Sequence, residues 1–310
     1  MGLLKHHIHT LCMEQKKTGF IKGKVLTLGQ QSVWINSLQS SKIFKNYNLK
    51  KWNLKENIDY RNNNKYFKNT SKENNLSCKA LLTIMGADNV EAMDISDYEG
   101  ADIIHNLNNP ISKSLFEQYD AIIDSGTLEH IFDTPTALKN ICDMLKPDGS
   151  LFLAYPCSNS IDHGFYSFSP TLFFDFFEAN GFTNLSAYLH EGSPRLYERK
   201  GRLFKYKHTC KEIPIVSSRG IELIFFAQKS KEYKSDNLRK PIQLIYNERK
   251  YEKDEENLNS IKSKNLFSKR LILFLKNISL NILLYLPYEF ERICFNMIRR
   301  NKIIKYIGRF

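Results

Sequence analysis

The 310-residue sequence predicts an α/β domain on a doubly wound, mostly parallel sheet, and three observations carry that prediction. From about residue 80 onward, short apolar runs of strand length alternate with segments of helical period. Turn signals at Gly29, Gly86, the KPDG run at 146–149 and Gly181 separate them. An apolar share of 42% with 13% aromatics supplies a sizeable core and excludes a disordered chain.

The elements follow in order. Residues 1–19 read as a short helical lead-in, and KVLTL (24–28) before Gly29 as a buried strand running into a turn. Residues 40–77, rich in Asn and Lys with no clear period, read as an irregular or weakly helical insertion, a candidate loop over a site. LLTIMGA is a helix end closed by Gly86, and NVEAMDIS (89–96) a strand ending at Asp94. ADIIHNL (101–107) is a further strand ending at Asn106, and YDAIIDSG (119–126) one with Asp124 near its end. A helix is predicted over 134–145, a strand over 150–156, and a helix opened by Ser169-Pro170 and closed by Gly181. Two last strands are predicted at 184–190 and 221–227.

Charge divides the chain. Of a net charge of +12, residues 231–310 carry +9, with 18 basic groups against 9 acidic. The body is nearly balanced, so simple nucleic-acid binding is not expected of it, and none is predicted. Residues 231–265 read as a charged linker and 266–310 as a helical, amphipathic basic extension, a candidate for peripheral membrane contact. Its apolar run is broken by Lys276, Asn277, Ser279 and Asn281, a poor membrane span. Six scattered cysteines without a CxxC pair argue against a disulfide framework or a zinc cluster. The amino terminus lacks a long apolar core and a small-residue cleavage site, so a cytoplasmic location is expected. His6, His7 and His9 lie close together; with no carboxylate or Cys at ligand spacing they read as a surface helix, and no metal is predicted.

Polar residues at successive strand ends carry the chemistry. Gly29 lets a backbone turn approach a ligand without a Cβ in the way. Asp94 suits the hydroxyls of a ribose, and the Asn106 amide suits an adenine edge. Asp124-Ser125-Gly126 ends a fourth strand, with Glu129 and His130 opening the next segment. Taken in order, these are the contacts that a nucleoside cofactor requires.

Three stretches carry a family resemblance: MDISDYEGADIIHNLNNP (93–110), YDAIIDSGTLEHIFD (119–133) and HGFYSFSP (163–170). The sequence resembles the class I S-adenosylmethionine-dependent methyltransferases over about residues 20–228, and within them a bacterial branch with DxSDYEGA, GTLEH and HGFYxFSP motifs. The resemblance implies a Rossmann-like, doubly wound, seven-stranded sheet. It implies that Thr27, Gly29 and Gln30 form the first-strand turn of the cofactor site. Asp94 and Ile95 would then hold the ribose, Asn106 and Leu107 would flank the adenine, and Asp124, Ser125 and Gly126 would border the methionine end. Glu129, His130 and His163 would form the catalytic side, with Tyr166 lining the acceptor. Two departures stand out: LTLGQQSVW has Thr27 in place of an acid and a single glycine, and Asn106 replaces an aspartate. The segment after the fourth strand also lacks the Asn/Asp-Pro-Pro-aromatic motif of amino-methylating nucleic-acid enzymes.

The implied activity is methyl transfer to a small-molecule or sugar-containing acceptor. That chemistry needs the acceptor aligned, and a general base such as His130 or His163 only where a hydroxyl must lose its proton. The alternative is a non-catalytic scaffold of the same fold, tethered through its tail.

Overall fold

The computed structural model describes residues 2–47, 75–192, 201–209, 215, 217 and 219–246, together with the backbone of 304–309. Along the chain run β1 (Gly2–Leu3), α1 (Lys5–Thr18), β2 (Gly23–Leu28), β3 (Ser32–Asn36), α2 (Ser37–Asn46), β4 (Asn75–Ser77) and α3 (Cys78–Met85). Then come β5 (Ala87–Asp94), β6 (Ile103–Ile104), β7 (Tyr119–Ser125), α4 (Thr134–Met144), β8 (Leu145–Ser158) and α5 (Pro170–Ala179). The last elements are β9 (Phe182–Glu191), β10 (Arg202–Tyr206), β11 (Ile221–Lys229) and β12 (Ile304–Arg309).

Nine strands form the main sheet in the order β12-β10-β9-β11-β8-β7-β2-β5-β6. From β8 to β6 neighbouring strands are parallel, while β11 enters antiparallel between β8 and β9. A small sheet, β1-β3-β4, stands apart. The strands are apolar on both sides. Leu26, Ile122, Leu151 and Leu153 face one core with Leu138 and Ile141 of α4 and Phe173 and Phe177 of α5. Val25, Ile123, Phe152 and Ile224 face the other with Ile8 and Leu11 of α1 and Leu81 and Leu82 of α3. Consecutive residues point to opposite faces, so helices must cover both. Each fully buried Leu, Ile or Phe there contributes roughly 1.5–3 kcal/mol.

Local chemistry sets the helix limits. Asp133 caps α4 by accepting from the Thr136 amide at 3.1 Å, with Pro135 in the first turn. Ser169 caps α5 the same way before Pro170. At the far end of α4, Lys229 Nζ donates to the carbonyls of Cys142 (3.0 Å) and Leu145 (2.6 Å).

The structure corrects several expectations. The sheet has nine strands rather than seven, because β10 and β12 extend it beyond β9. The strand expected over 101–107 shrinks to Ile103–Ile104, since the following Asn residues close a turn. Within the insertion expected over 40–77, α2 continues to Asn46 and β4 occupies Asn75–Ser77; the rest lies outside the described residues. The linker expected over 231–265 is anchored as far as Tyr246: Tyr233 donates to Asp143 at 2.7 Å, Asn180 bonds Arg239, and the Leu244 amide donates to Asp175. Residues 304–309 of the extension expected to be helical form strand β12 against β10, whose free edge offers backbone donors and acceptors. Residues 266–303, where the amphipathic face was read, lie outside the described residues.

Candidate functional site

In an open parallel sheet, a crevice forms where neighbouring crossovers run in opposite directions, at the carboxyl ends of the strands. Here that point lies between β2 and β7, with Gly29 and Asp124 at the two strand ends and Asp94 at the end of the next strand. Gly29 turns the chain out of β2 with φ +71°, a conformation costly for a residue with a Cβ, and its amide donates to the Met93 carbonyl at 2.7 Å. Asp94 ends the adjacent strand. Its Oδ2 accepts from the Gln30 amide (3.1 Å) and its Oδ1 from the Ile95 amide (2.7 Å), so the carboxylate bridges the two strand ends. Thr27 is buried, and its hydroxyl donates to the Gly29 carbonyl, bracing the turn from beneath. The Ile95 side chain is exposed at the lip, whereas Leu107 packs into the core. Asn106 Oδ1 accepts from both nitrogens of Asn108, which places it as the organiser of its own turn.

Across the gap, Asp124 is fully buried. It accepts from the Thr127 and Leu128 amides (3.0 and 3.3 Å) and from the Tyr155 hydroxyl (2.8 Å). Burial nevertheless outweighs these donors and pushes its carboxyl up to about 7. Thr127 Oγ1 donates to the Leu28 carbonyl at 2.8 Å, tying the loop that carries Gly126 to the end of β2. Ser125 is buried as well, and its hydroxyl lies 3.2 Å from both the Gly2 carbonyl and His7 Nδ1.

The three predicted catalytic residues come together. Glu129 Oε1 lies 3.4 Å from His163 Nε2 and 4.0 Å from His130 Nε2. Glu129 is 0% exposed and, among the described residues, neither carboxylate oxygen has a hydrogen-bond partner, while the side chains of His130 and His163 are 42% and 54% exposed. Burial, reinforced by the nearby Asp124, pushes the Glu129 carboxyl up to about 8. Burial, with His163 as a second cause, lowers His130. The loop carrying His163 is pinned by the Glu129 carbonyl, which accepts from the Phe165 amide at 2.8 Å. Gly164 allows this approach: a Cβ there would sit 2.8 Å from the Glu129 oxygen. Tyr166 donates to the Phe132 carbonyl at 2.9 Å, and the exposed rings of Phe132 and Phe165 meet edge to face beside the histidines.

A second cluster was missed by the sequence reading. His6, His7 and His9 are buried rather than on a surface helix, because α1 packs across the sheet. Glu222, on β11, supplies the carboxylate that no nearby residue provides: His6 Nε2 lies 2.6 Å and His7 Nε2 2.8 Å from its oxygens. His7 Nδ1 accepts from the Leu4 amide, which leaves Nε2 facing Glu222. Burial lowers His6 to about 4, and the two imidazoles hold Glu222 well below the usual carboxylate range. The cluster gathers two imidazoles around one carboxylate, with His190 stacked on His6. The signal in the sequence was a single acid, Glu222, inside an otherwise apolar strand run.

An open groove of about 900 Å³, lined by Glu14, Phe174, Lys205 and His208 among others, lies at the opposite end of the sheet and holds none of the predicted site residues.

The methyltransferase-domain family matches residues 56–225, more than half of the sequence, and the chain belongs to that family. No curated protein matches it. Solved structures with a similar arrangement include the YcgJ protein of Bacillus subtilis, at 11% identity and TM-score 0.36 over 73% of this chain and 99% of that one. Another is 1,6-didemethyltoxoflavin-N1-methyltransferase of Burkholderia thailandensis, bound to its substrate and S-adenosylhomocysteine, at 12% identity and TM-score 0.34 over 73% and 80%. A third is TehB of Haemophilus influenzae, at 13% identity and TM-score 0.38 over 72% and 62%. Among the described residues, no helix is long and apolar enough to cross a membrane.

Proposed function

We propose that the protein is an S-adenosylmethionine-dependent methyltransferase acting on a small-molecule or sugar-containing acceptor. The observation that carries this reading is the Asp94 carboxylate, held between the Gln30 and Ile95 amides beside the open Gly29 turn. Each carboxylate oxygen accepts more than one hydrogen bond, so both keep capacity for a ribose diol after bonding the backbone. Ile95 offers an apolar lip for the base, and the Gly126 turn borders the methionine end. When bound, S-adenosylmethionine supplies a methyl group activated on a sulfonium.

The chain's own task is alignment. Glu129, His130 and His163 gather on the far side of Asp124, where an acceptor would approach. Phe132 and Phe165 give that acceptor an aromatic wall, a surface suited to the apolar face of a ring or a sugar. The charge balance of residues 1–230 favours such an acceptor over nucleic acid.

Calorimetric titration of S-adenosylmethionine and its demethylated product tests the reading. Saturable binding is expected, weakened roughly 10–100-fold in Asp94→Ala by loss of charge-assisted hydrogen bonds. No binding to the intact, folded protein would overturn it.

A further inference from the structure

We infer that Glu129, His130 and His163 form a binding site for a divalent transition-metal cation, through which an oxygen-bearing acceptor is held. The donors are one carboxylate and two imidazoles, each offering a single ligand atom, and all three atoms lie within 4.8 Å of one another. A cation with ligands at ~2.0–2.2 Å sets neighbouring ligand atoms ~3.4 Å apart in a tetrahedral arrangement. Glu129 Oε1 and His163 Nε2 are 3.4 Å apart, and His130 Nε2 is 4.0 Å from the same oxygen.

The three groups are therefore spread around a shared point and are not paired with each other. Among the described residues, neither oxygen of the buried Glu129 has a hydrogen-bond partner, although two imidazole nitrogens stand nearby. A buried carboxylate without donors is costly, and a cation meets that cost directly. The contrast with the cluster at Glu222 is informative. There the imidazole nitrogens approach to 2.6 and 2.8 Å, and His6 is hydrogen-bonded to the carboxylate.

Two nitrogens and one carboxylate oxygen suit zinc, cobalt, iron or manganese better than calcium or magnesium, which prefer all-oxygen shells. Three protein ligands leave coordination positions open, and these face solvent because both histidines are about half exposed. The acceptor class is thus a molecule presenting a hydroxyl beside a second oxygen. This last step rests on the methyltransferase reading, whereas cation binding does not.

The test is titration of Co²⁺ into metal-free, full-length protein, followed by its visible d–d absorption and by calorimetry. One ion per chain is expected for the intact protein and for His6→Ala. Affinity should fall at least about tenfold in both His163→Ala and Glu129→Gln. His163 is on the exposed side of the cluster, so its variant should keep the parent melting temperature even where Glu129→Gln does not fold. Absence of stoichiometric binding, undiminished binding in His163→Ala, or loss in His6→Ala would each overturn the inference. S-adenosylmethionine titrated into the metal-free protein reads the cofactor site independently, so failure of one proposal is distinguishable from failure of the other.

Discussion

At the scale of single residues, the site concentrates acid groups whose carboxyls burial pushes up. Asp124 is raised to about 7 and Glu129 to about 8, while both are fully ionised in the unfolded chain at neutral pH. The folded protein therefore binds more protons than the unfolded chain, and stability must fall as pH rises through this range. His6 and His190, lowered by burial, act in the opposite sense but only below about pH 6.5. Metal-free protein should thus lose roughly 1–2 kcal/mol of stability between pH 6.5 and 8, read from urea midpoints. Asp124→Asn should flatten that slope by about half, and an unchanged slope would show that Asp124 is ionised in the native state. Residues of this kind were legible because a polar side chain at the end of an apolar strand run has few structural reasons to be there. Asp94 and Asp124 announced themselves that way, whereas Glu129 was marked by the resemblance. His6 and His7 did not, because the carboxylate that explains them is more than 200 residues away in the chain.

Among the secondary-structure elements, α4 shows how a helix end depends on a distant strand. Lys229 on β11 is almost wholly buried and closes the helix end by donating to the carbonyls of Cys142 and of Leu145, the residue after the helix. Lys229→Ala removes that donor and opens a void, so a loss of about 2–3 kcal/mol is expected in denaturant unfolding. Lys139→Ala should cost less than about 1 kcal/mol, because its bonds to Asp143 and Ser235 involve a partly exposed ammonium. The helices were the most readable elements. Asp133 with Pro135, and Ser169 with Pro170, mark their starts by a mechanism that acts within one turn. Of the strands that escaped, β1, β4 and β12 among them, β3 and β10 are five residues each and mix polar with apolar side chains. Nothing local distinguishes such a run from a loop; only the neighbouring strand edge makes it pair.

For the molecule as a whole, the sheet reads as a central parallel block extended on one side by antiparallel strands. The predicted seven strands came from segments carrying their own apolar pattern, and the two additional ones come from pairing at the edge. β12 covers β10 through Arg202–Tyr206, in antiparallel register with Ile304–Arg309. Deleting residues 304–310 should speed amide hydrogen exchange in 202–206 while β2, β5 and β7 keep their protection. Equal protection in the deleted protein would mean that β10 is held without β12.

That pairing also sets an order of assembly. β10 and β12 are separated by about 100 residues, about as far apart in the chain as β2 and β7, so the order comes from when each strand is made and not from the length of loop closed. On the ribosome, β10 emerges long before the segment that covers it, and until residue 309 is made its outer backbone groups have no strand to bond. The interval leaves an exposed edge on every nascent copy, and crowding of such copies during overexpression should cause misassembly well before any loss of the half of the fold that carries the candidate site.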